Sequence, residues 1–279
     1  MNINFIDTHA HLCDLQFQED RNQTLQRAMD QNITTIVEIA DSADGWLSAQ
    51  NLAEQSFSNS NFALKMFWTC GFHPHYAKES NSETFQKMLE IAKHPLCVAI
   101  GEIGLDYVKS AAPKDQQIQT FIRCLEIASE LNKPVVIHCR EAQADTLRIL
   151  KSFYGGTSRR DWIQGVIHCF AGDISFAEGC IDLGFYLGVD GPITYPSAQM
   201  LRNVIQQIPL DRIVLETDCP YLPPQPFRGK RNEPAHLPLI AQKISELFQT
   251  PLSEIAKITS ENATKLYRIS QLKNFNGNP

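Results

Sequence analysis

The chain has 279 residues, 43% hydrophobic and 20% charged, with a net charge of −6 and a pI near 5.8. This is globular composition with length enough for one large core. It lacks an 18-residue apolar run that would cross a membrane, and its acidic balance gives no support for non-specific nucleic-acid binding, although a local basic groove stays open. The N-terminus passes from Met1-Asn2 straight into an apolar segment without a signal-type stretch, so a cytosolic protein is expected. The eight cysteines are scattered singly, with no CxxC pair. That pattern suggests free thiols rather than a disulfide framework.

In chain order, short β-branched and apolar runs alternate with amphipathic stretches. Strands are expected at 4–8, 34–40, 64–70, 96–101, 134–139, 163–169, 185–189 and 211–217. Helices are expected near 21–31, 43–56, 82–93, 116–131, 142–153, 174–183, 197–208, 235–249 and 253–267, the clearest carrying Ile118, Phe121, Ile122, Leu125 and Ala128 at helical spacing. Repeated strand–helix alternation is the pattern of parallel βαβ units. A doubly wound open sheet is the competitor. Eight units without a glycine-rich phosphate fingerprint after the first strand favour an α/β fold of the TIM-like (β/α)8 barrel type. No linker or low-complexity block interrupts the chain, so one domain spanning 1–279 is expected, with 271–279 as a frayed tail.

A barrel of this kind carries its active site at the C-terminal ends of its strands. The first strand ends at His9 and His11, which face the same way because strand side chains repeat every second residue. The fourth ends at Glu102, the fifth at His138, the sixth at His168 and the eighth at Asp218. A single strand-end histidine is ordinarily a hydrogen-bonded rim residue. Four histidines and two carboxylates converging on one rim make a metal centre. Six donors exceed what one tetrahedral ion takes from protein, so two divalent ions sharing a carboxylate are expected, at a separation of about 3.5–4 Å. Imidazole suits zinc, iron or nickel, and carboxylate with water suits magnesium or manganese. The mixed set leaves Mg, Mn and Zn open.

Six motifs, FIDTHAHL (5–12), GFHPH (71–75), GEIGLDY (101–107), VIHCRE (136–141), IHCFAG (167–172) and LETDCPYLPP (215–224), resemble those of the TatD family, metal-dependent deoxyribonucleases of the amidohydrolase superfamily. The likeness runs in order from Phe5 to about Leu266. It implies a TIM-like barrel that hydrolyses phosphodiester bonds of DNA, as a 3'-5' exodeoxyribonuclease preferring single-stranded ends. By the same resemblance His9, His11 and Asp218 hold one metal, His138 and His168 the second, and Glu102 bridges. Asp218 doubles as the base that receives the proton of the attacking water.

Around this centre, Asp7 and Glu216 precede proposed ligands by two residues. They serve either as acceptors for imidazole N–H groups or as partners in ion pairs inside the barrel. His73, with His75 beside it in GFHPH, is expected near the substrate. Arg228, Lys230 and Arg231, in PFRGKRNEP after the eighth strand, form a basic loop that either binds phosphates or is a solvated surface. Glu233 is a candidate partner for one of those arginines. Tyr107, Phe170 and Tyr221 either stack on bases or pack the rim. Cys139 and Cys169 read as small buried residues facing away from the site. DNA is the expected partner, with no stable protein partner. The competing readings are another amidohydrolase acting on a small ester, amide or lactone, and a non-catalytic metal-binding protein. The first usually bridges its metals with a carboxylated lysine, where this chain has Glu102.

Overall fold

The structure, a computed structural model, describes residues 3–58, 63–155 and 164–271. Its strands are β1 Phe5–Ala10, β2 Ile33–Ala40, β3 Lys65–Cys70, β4 Cys97–Asp106, β5 Val135–Arg140, β6 Gly165–Ile167, β7 Phe185–Val189 and β8 Ile213–Leu215. They form one sheet in the order β1 to β8, with every ladder parallel. The helices are α1 Arg21–Asp30, α2 Trp46–Ser58, α3 Ser82–Ile91, α4 Lys114–Glu130, α5 Gln143–Tyr154, α6 Ile174–Asp182, α7 Gln199–Ile205, α8 Leu237–Phe248 and α9 Leu252–Leu266. This is the expected TIM-like (β/α)8 architecture. The strands are almost wholly buried, as strands covered by helices on the outside and by each other on the inside must be. Among the described residues, no helix is long and apolar enough to cross a membrane. All but the first residue of the expected frayed tail, and the first residue of the expected sixth strand, lie outside the described residues.

The sheet comes round on itself without a full ladder between β8 and β1. One bridge, Ala10 with Cys219, joins them, together with the bonds Asp218 N–H to His9 O at 2.9 Å and His11 N–H to Cys219 O at 2.8 Å. Side chains finish the seam. Asp7 accepts from the Thr217 backbone N–H at 2.9 Å and from its hydroxyl at 2.6 Å, and Thr8 Oγ1 donates to Leu215 O at 2.9 Å.

Three strands differ from expectation. β4 continues five residues past Gly101, so Glu102 lies within it rather than at its end. Glycines permit this: a Cβ at Gly101 would meet Val136 Cβ at 2.5 Å, and one at Gly104, whose φ is +137°, would collide with the His138 carbonyl. β5 therefore runs close against β4 where a side chain would hold it away. β6 stops at Ile167, and Cys169 turns at φ +43°. β8 begins after a 3-10 turn at Leu210–Arg212 and ends at Leu215, where Asp7 draws Thr217 into the seam.

Candidate active site

The strand ends bring all six expected groups to one place. His9 Nε2 lies 3.1 Å from His11 Nε2, and each lies 3.5 Å from Asp218 Oδ1. Glu102 sits at the centre. Its Oε2 is 3.4 Å from His9 Nε2 and 4.0 Å from His11 Nε2. Its Oε1 is 2.8 Å from His138 Nδ1, 3.5 Å from His168 Nε2 and 3.7 Å from His73 Nε2. The His9 and His168 rings stack at 3.6 Å. His73 therefore joins the cluster directly: it forms one donor triad with Glu102 and His138, while His9, His11 and Asp218 form another, and His168 groups with His9 and Glu216.

Local structure explains the placement. His9 is on β1 and fully buried, with His11 just beyond the strand. The turn after His11 is held by Glu38 at the rim end of β2, whose carboxylate accepts from the backbone N–H groups of Leu12 at 2.7 Å and Cys13 at 2.9 Å. Asp218 adopts φ +55°, and Asn232 braces its loop by donating to the carbonyls of Thr217 and Tyr221, each at 2.7 Å. His73 follows β3 and accepts from the His75 backbone N–H at 3.2 Å through Nδ1.

Two polar groups of the site escaped the sequence reading. Asp106, at the end of β4, lies 3.4 Å from His138 Nε2 and 3.3 Å from His75 Nε2. Its other oxygen accepts from the N–H groups of Val108 and Lys109. Glu102, Gly104 and Asp106 share one strand face. Alternation carried past Gly101 would have found Asp106, and reading Gly101 as a strand terminus hid it. Glu38 was the second, passed over as an interior strand residue.

Charge follows geometry. Burial works against an ionised Glu102, but His168 and His73 beside it hold its carboxyl well below the usual range. Asp218 is likewise depressed, with burial outweighed by His168 and His11. Burial lowers His9, whereas at His11 the Asp218 carboxylate overcomes burial and lifts the ring to about 9. Burial also raises Asp7 to about 7. The site thus gathers ionised carboxylates whose negative charge, in a buried setting, draws positive charge to the histidines around them.

The donor set fits divalent cations. Ligand bonds of about 2.1 Å in a tetrahedron set donor atoms about 3.4 Å apart, close to the separations among His9, His11 and Asp218. Two of the buried nitrogens and oxygens around it, His9 Nδ1 and Glu216 Oε2, have no hydrogen-bond partner among the described residues.

The surrounding candidates divide. Glu216 takes the expected place behind an imidazole, with Oε1 3.1 Å from His168 Nδ1. Asp7 does not: it holds Thr217 and, at 3.3 Å, the His9 backbone N–H, because the strand seam and not a ring nitrogen lies within its reach. Arg231 is drawn away from the mouth into a paired contact with Asp20, 2.7 Å from each oxygen, so it is not a free phosphate ligand. Glu233 pairs closely with Arg27 at 2.6 Å and, as expected, also with an arginine of the basic loop, reaching Arg231 at 3.9 Å. Arg228 and Lys230 are exposed, Arg228 lying 4.6 Å over the Tyr195 ring. Phe170 is buried and stacks on Phe176, and Tyr107 is tied to Asp145 and Lys114. Neither is open to a base; Tyr221, 48% exposed, is. Cys139 and Cys169 take no part in the donor groups, and the cysteines are free thiols.

A parallel eight-stranded barrel with such a donor cluster at its C-terminal rim is the framework of a metal-dependent hydrolase, and comparison with known proteins bears out that class. The profile of the family described as TatD related DNase matches residues 6–268. The metal-dependent hydrolase YabD of Bacillus subtilis is 37% identical over 264 residues, covering 95% of this chain and 99% of the relative. The 3'-5' ssDNA/RNA exonuclease TatD of Erwinia amylovora is 35% identical over 266 residues, covering 94% and 98%. The crystal structure of YjjV, a TatD homologue from Escherichia coli, superposes with a TM-score of 0.85 at 31% identity, covering 96% and 99%. The chain belongs to the TatD family of metal-dependent hydrolases.

Proposed function

We propose that the protein is a two-metal exonuclease that removes nucleotides from the 3' end of single-stranded DNA. The observation carrying this reading is the position of Glu102, with one oxygen facing His9 and His11 and the other facing His138, His168 and His73. A carboxylate shared in this way suits two cations, with His9, His11 and Asp218 as ligands on one side and His138 and His168 on the other. His73 stands beside the second group as a further ligand or a substrate contact. The relative named as a 3'-5' ssDNA/RNA exonuclease supports the choice of substrate.

Divalent ions held by these residues would supply Lewis acidity toward a phosphate oxygen and lower the pKa of water. The chain's own groups do the rest. Asp218 Oδ1 faces the cluster and receives the proton as the water oxygen bonds to phosphorus. The P–O bond to the preceding nucleoside breaks, and that oxygen leaves as the new 3'-hydroxyl after taking up a proton. Glu216 keeps the His168 ring in one orientation, and Asp106 limits rotation of His138. Arg228 and Lys230 offer positive charge to the strand, against a chain that is acidic overall.

Activity on linear single-stranded DNA after metal removal and readdition of Mg, Mn or Zn tests the reading. Linear strands are degraded only with metal, and circular strands resist. Equal cutting of both forms rejects the exonuclease. Failure to cut either while a small amide or lactone is hydrolysed moves the substrate to another class.

A further inference from the structure

Beside the donor cluster the barrel mouth holds a recess of about 180 Å³ that shares His11 with it. At about 30 Å³ per water this is room for about six waters, below the 300–1,000 Å³ typical of larger ligand pockets. Its scale is that of one sugar or base. Asp14, Glu38 and Asp41 line it together with Tyr76 and Tyr221, and neither lysine nor arginine does. Glu38 is spent on the turn after His11. Asp14 accepts from the Gln16 N–H and, at 3.1 Å, from the Tyr221 hydroxyl. The Asp41 carboxylate makes no side-chain hydrogen bond among the described residues, and the charged groups that face it are His11 and His75 with Glu102 opposing them.

An ionised carboxylate only accepts hydrogen bonds. A phosphate at neutral pH is also an acceptor and is negatively charged, so it gains nothing from Asp14 or Asp41 and is repelled by both. A sugar hydroxyl or an exocyclic amino group donates, and fits. The two tyrosines add aromatic surface of the kind on which a base packs.

We infer that this recess is the subsite for the sugar of the strand's terminal nucleoside, and that it admits an end bearing a hydroxyl while refusing an end bearing a phosphate. The inference rests on the nucleic-acid reading above and sharpens it. The scissile phosphate is held at the donor cluster, the sugar released with it lies in the recess, and its 3'-hydroxyl donates to Asp41.

The test uses four single-stranded oligonucleotides of one sequence, with hydroxyl or phosphate at each end, incubated with the manganese-loaded protein. In parallel, trinucleotides with a terminal 2-aminopurine are titrated by fluorescence into the metal-free protein. The 3'-hydroxyl strand is cut at least ~10-fold faster than the 3'-phosphate strand, and its trinucleotide binds more tightly, because like charges at close range disfavour the wrong end. The 5' group has no effect. Asp41→Asn and Asp14→Asn, which remove charge with little change of shape, each narrow the gap in both assays. Equal cutting and binding of hydroxyl and phosphate ends overturns the subsite while leaving the nuclease intact. Cleavage of none of the four overturns the nucleic-acid reading and the subsite with it.

Discussion

His168 Nδ1 donates to Glu216 Oε1 across 3.1 Å, and the same oxygen accepts from the Cys169 backbone N–H at 2.5 Å. The carboxylate orients the ring at Nδ1, which leaves Nε2 on the side of Glu102, where it would be available to a metal ion. Glu216→Gln replaces an acceptor with a group that is half donor, so the bond to His168 is lost in one of the two amide orientations. Metal affinity and kcat/KM are expected to fall by about 10–100-fold, with the circular dichroism spectrum unchanged. Ion titration of metal-free protein checks this directly; unaltered affinity would assign Glu216 to packing alone.

Glu102→Gln is expected to do more. A neutral amide cannot offset two cations at once, so ion stoichiometry drops and hydrolysis falls by roughly three orders of magnitude or more. Elemental analysis beside a DNA-degradation assay measures both. Near wild-type activity in Mg or Mn, with native circular dichroism, would show that Glu102 is no bridge.

The basic loop divides into two kinds of residue. Arg228→Ala with Lys230→Ala raises KM for DNA about 3–10-fold and lowers the salt slope by about 1–2 units, leaving a nitrophenyl phosphodiester unaffected. Arg231→Ala instead lowers the melting temperature, because it strips Asp20 of its main partner. Salt-dependent kinetics and thermal melts on both variants separate these effects.

Asp20 sets a pH signature. Hydrogen bonding from Arg231, with burial working the other way and Arg27 adding to it, holds its carboxyl below the ordinary value. A depressed acid favours the folded state once ionised. Its contribution is present above the unfolded value of about 4 and is lost as pH falls through the folded one. Asp20→Asn is less stable than wild type at pH 7, and the difference shrinks toward pH 2. Asp20 is a third exposed, so the effect is modest. Denaturant titrations across that range test it.

Hydrophobic periodicity made the architecture legible, since each expected strand and helix overlaps one in the structure. The ends were harder to read. Gly101 resembles a stop in sequence, yet it is the residue that lets β4 pass close to β5, so Asp106 went unseen. The convergence of His9, His11, Glu102, His138, His168 and Asp218 was legible because each falls at or near the end of a β-run. Long-range pairing was not: Arg231 lies three residues from Arg228, but only the fold reveals that Asp20 claims it. Asp7 differs from Glu216 for the same reason. Both precede a ligand by two residues, and the seam decides what each one touches.

That seam has a kinetic meaning. His9 and His11 lie on one side of the joint between β1 and β8, and Asp218 on the other, with a single backbone bridge between the two edges. The two edges are some two hundred residues apart along the chain, so bringing them together closes the longest loop in the sheet. If these three side chains grip a cation, as proposed, it would act as a clasp on this joint, and its removal would loosen the joint before the paired interior. Amide hydrogens of His11 and Asp218 then exchange faster in metal-free protein, while those of β3 and β4 keep their protection. Loss of metal would thus unlatch the barrel locally, exposing its two terminal edges well before the whole domain melts.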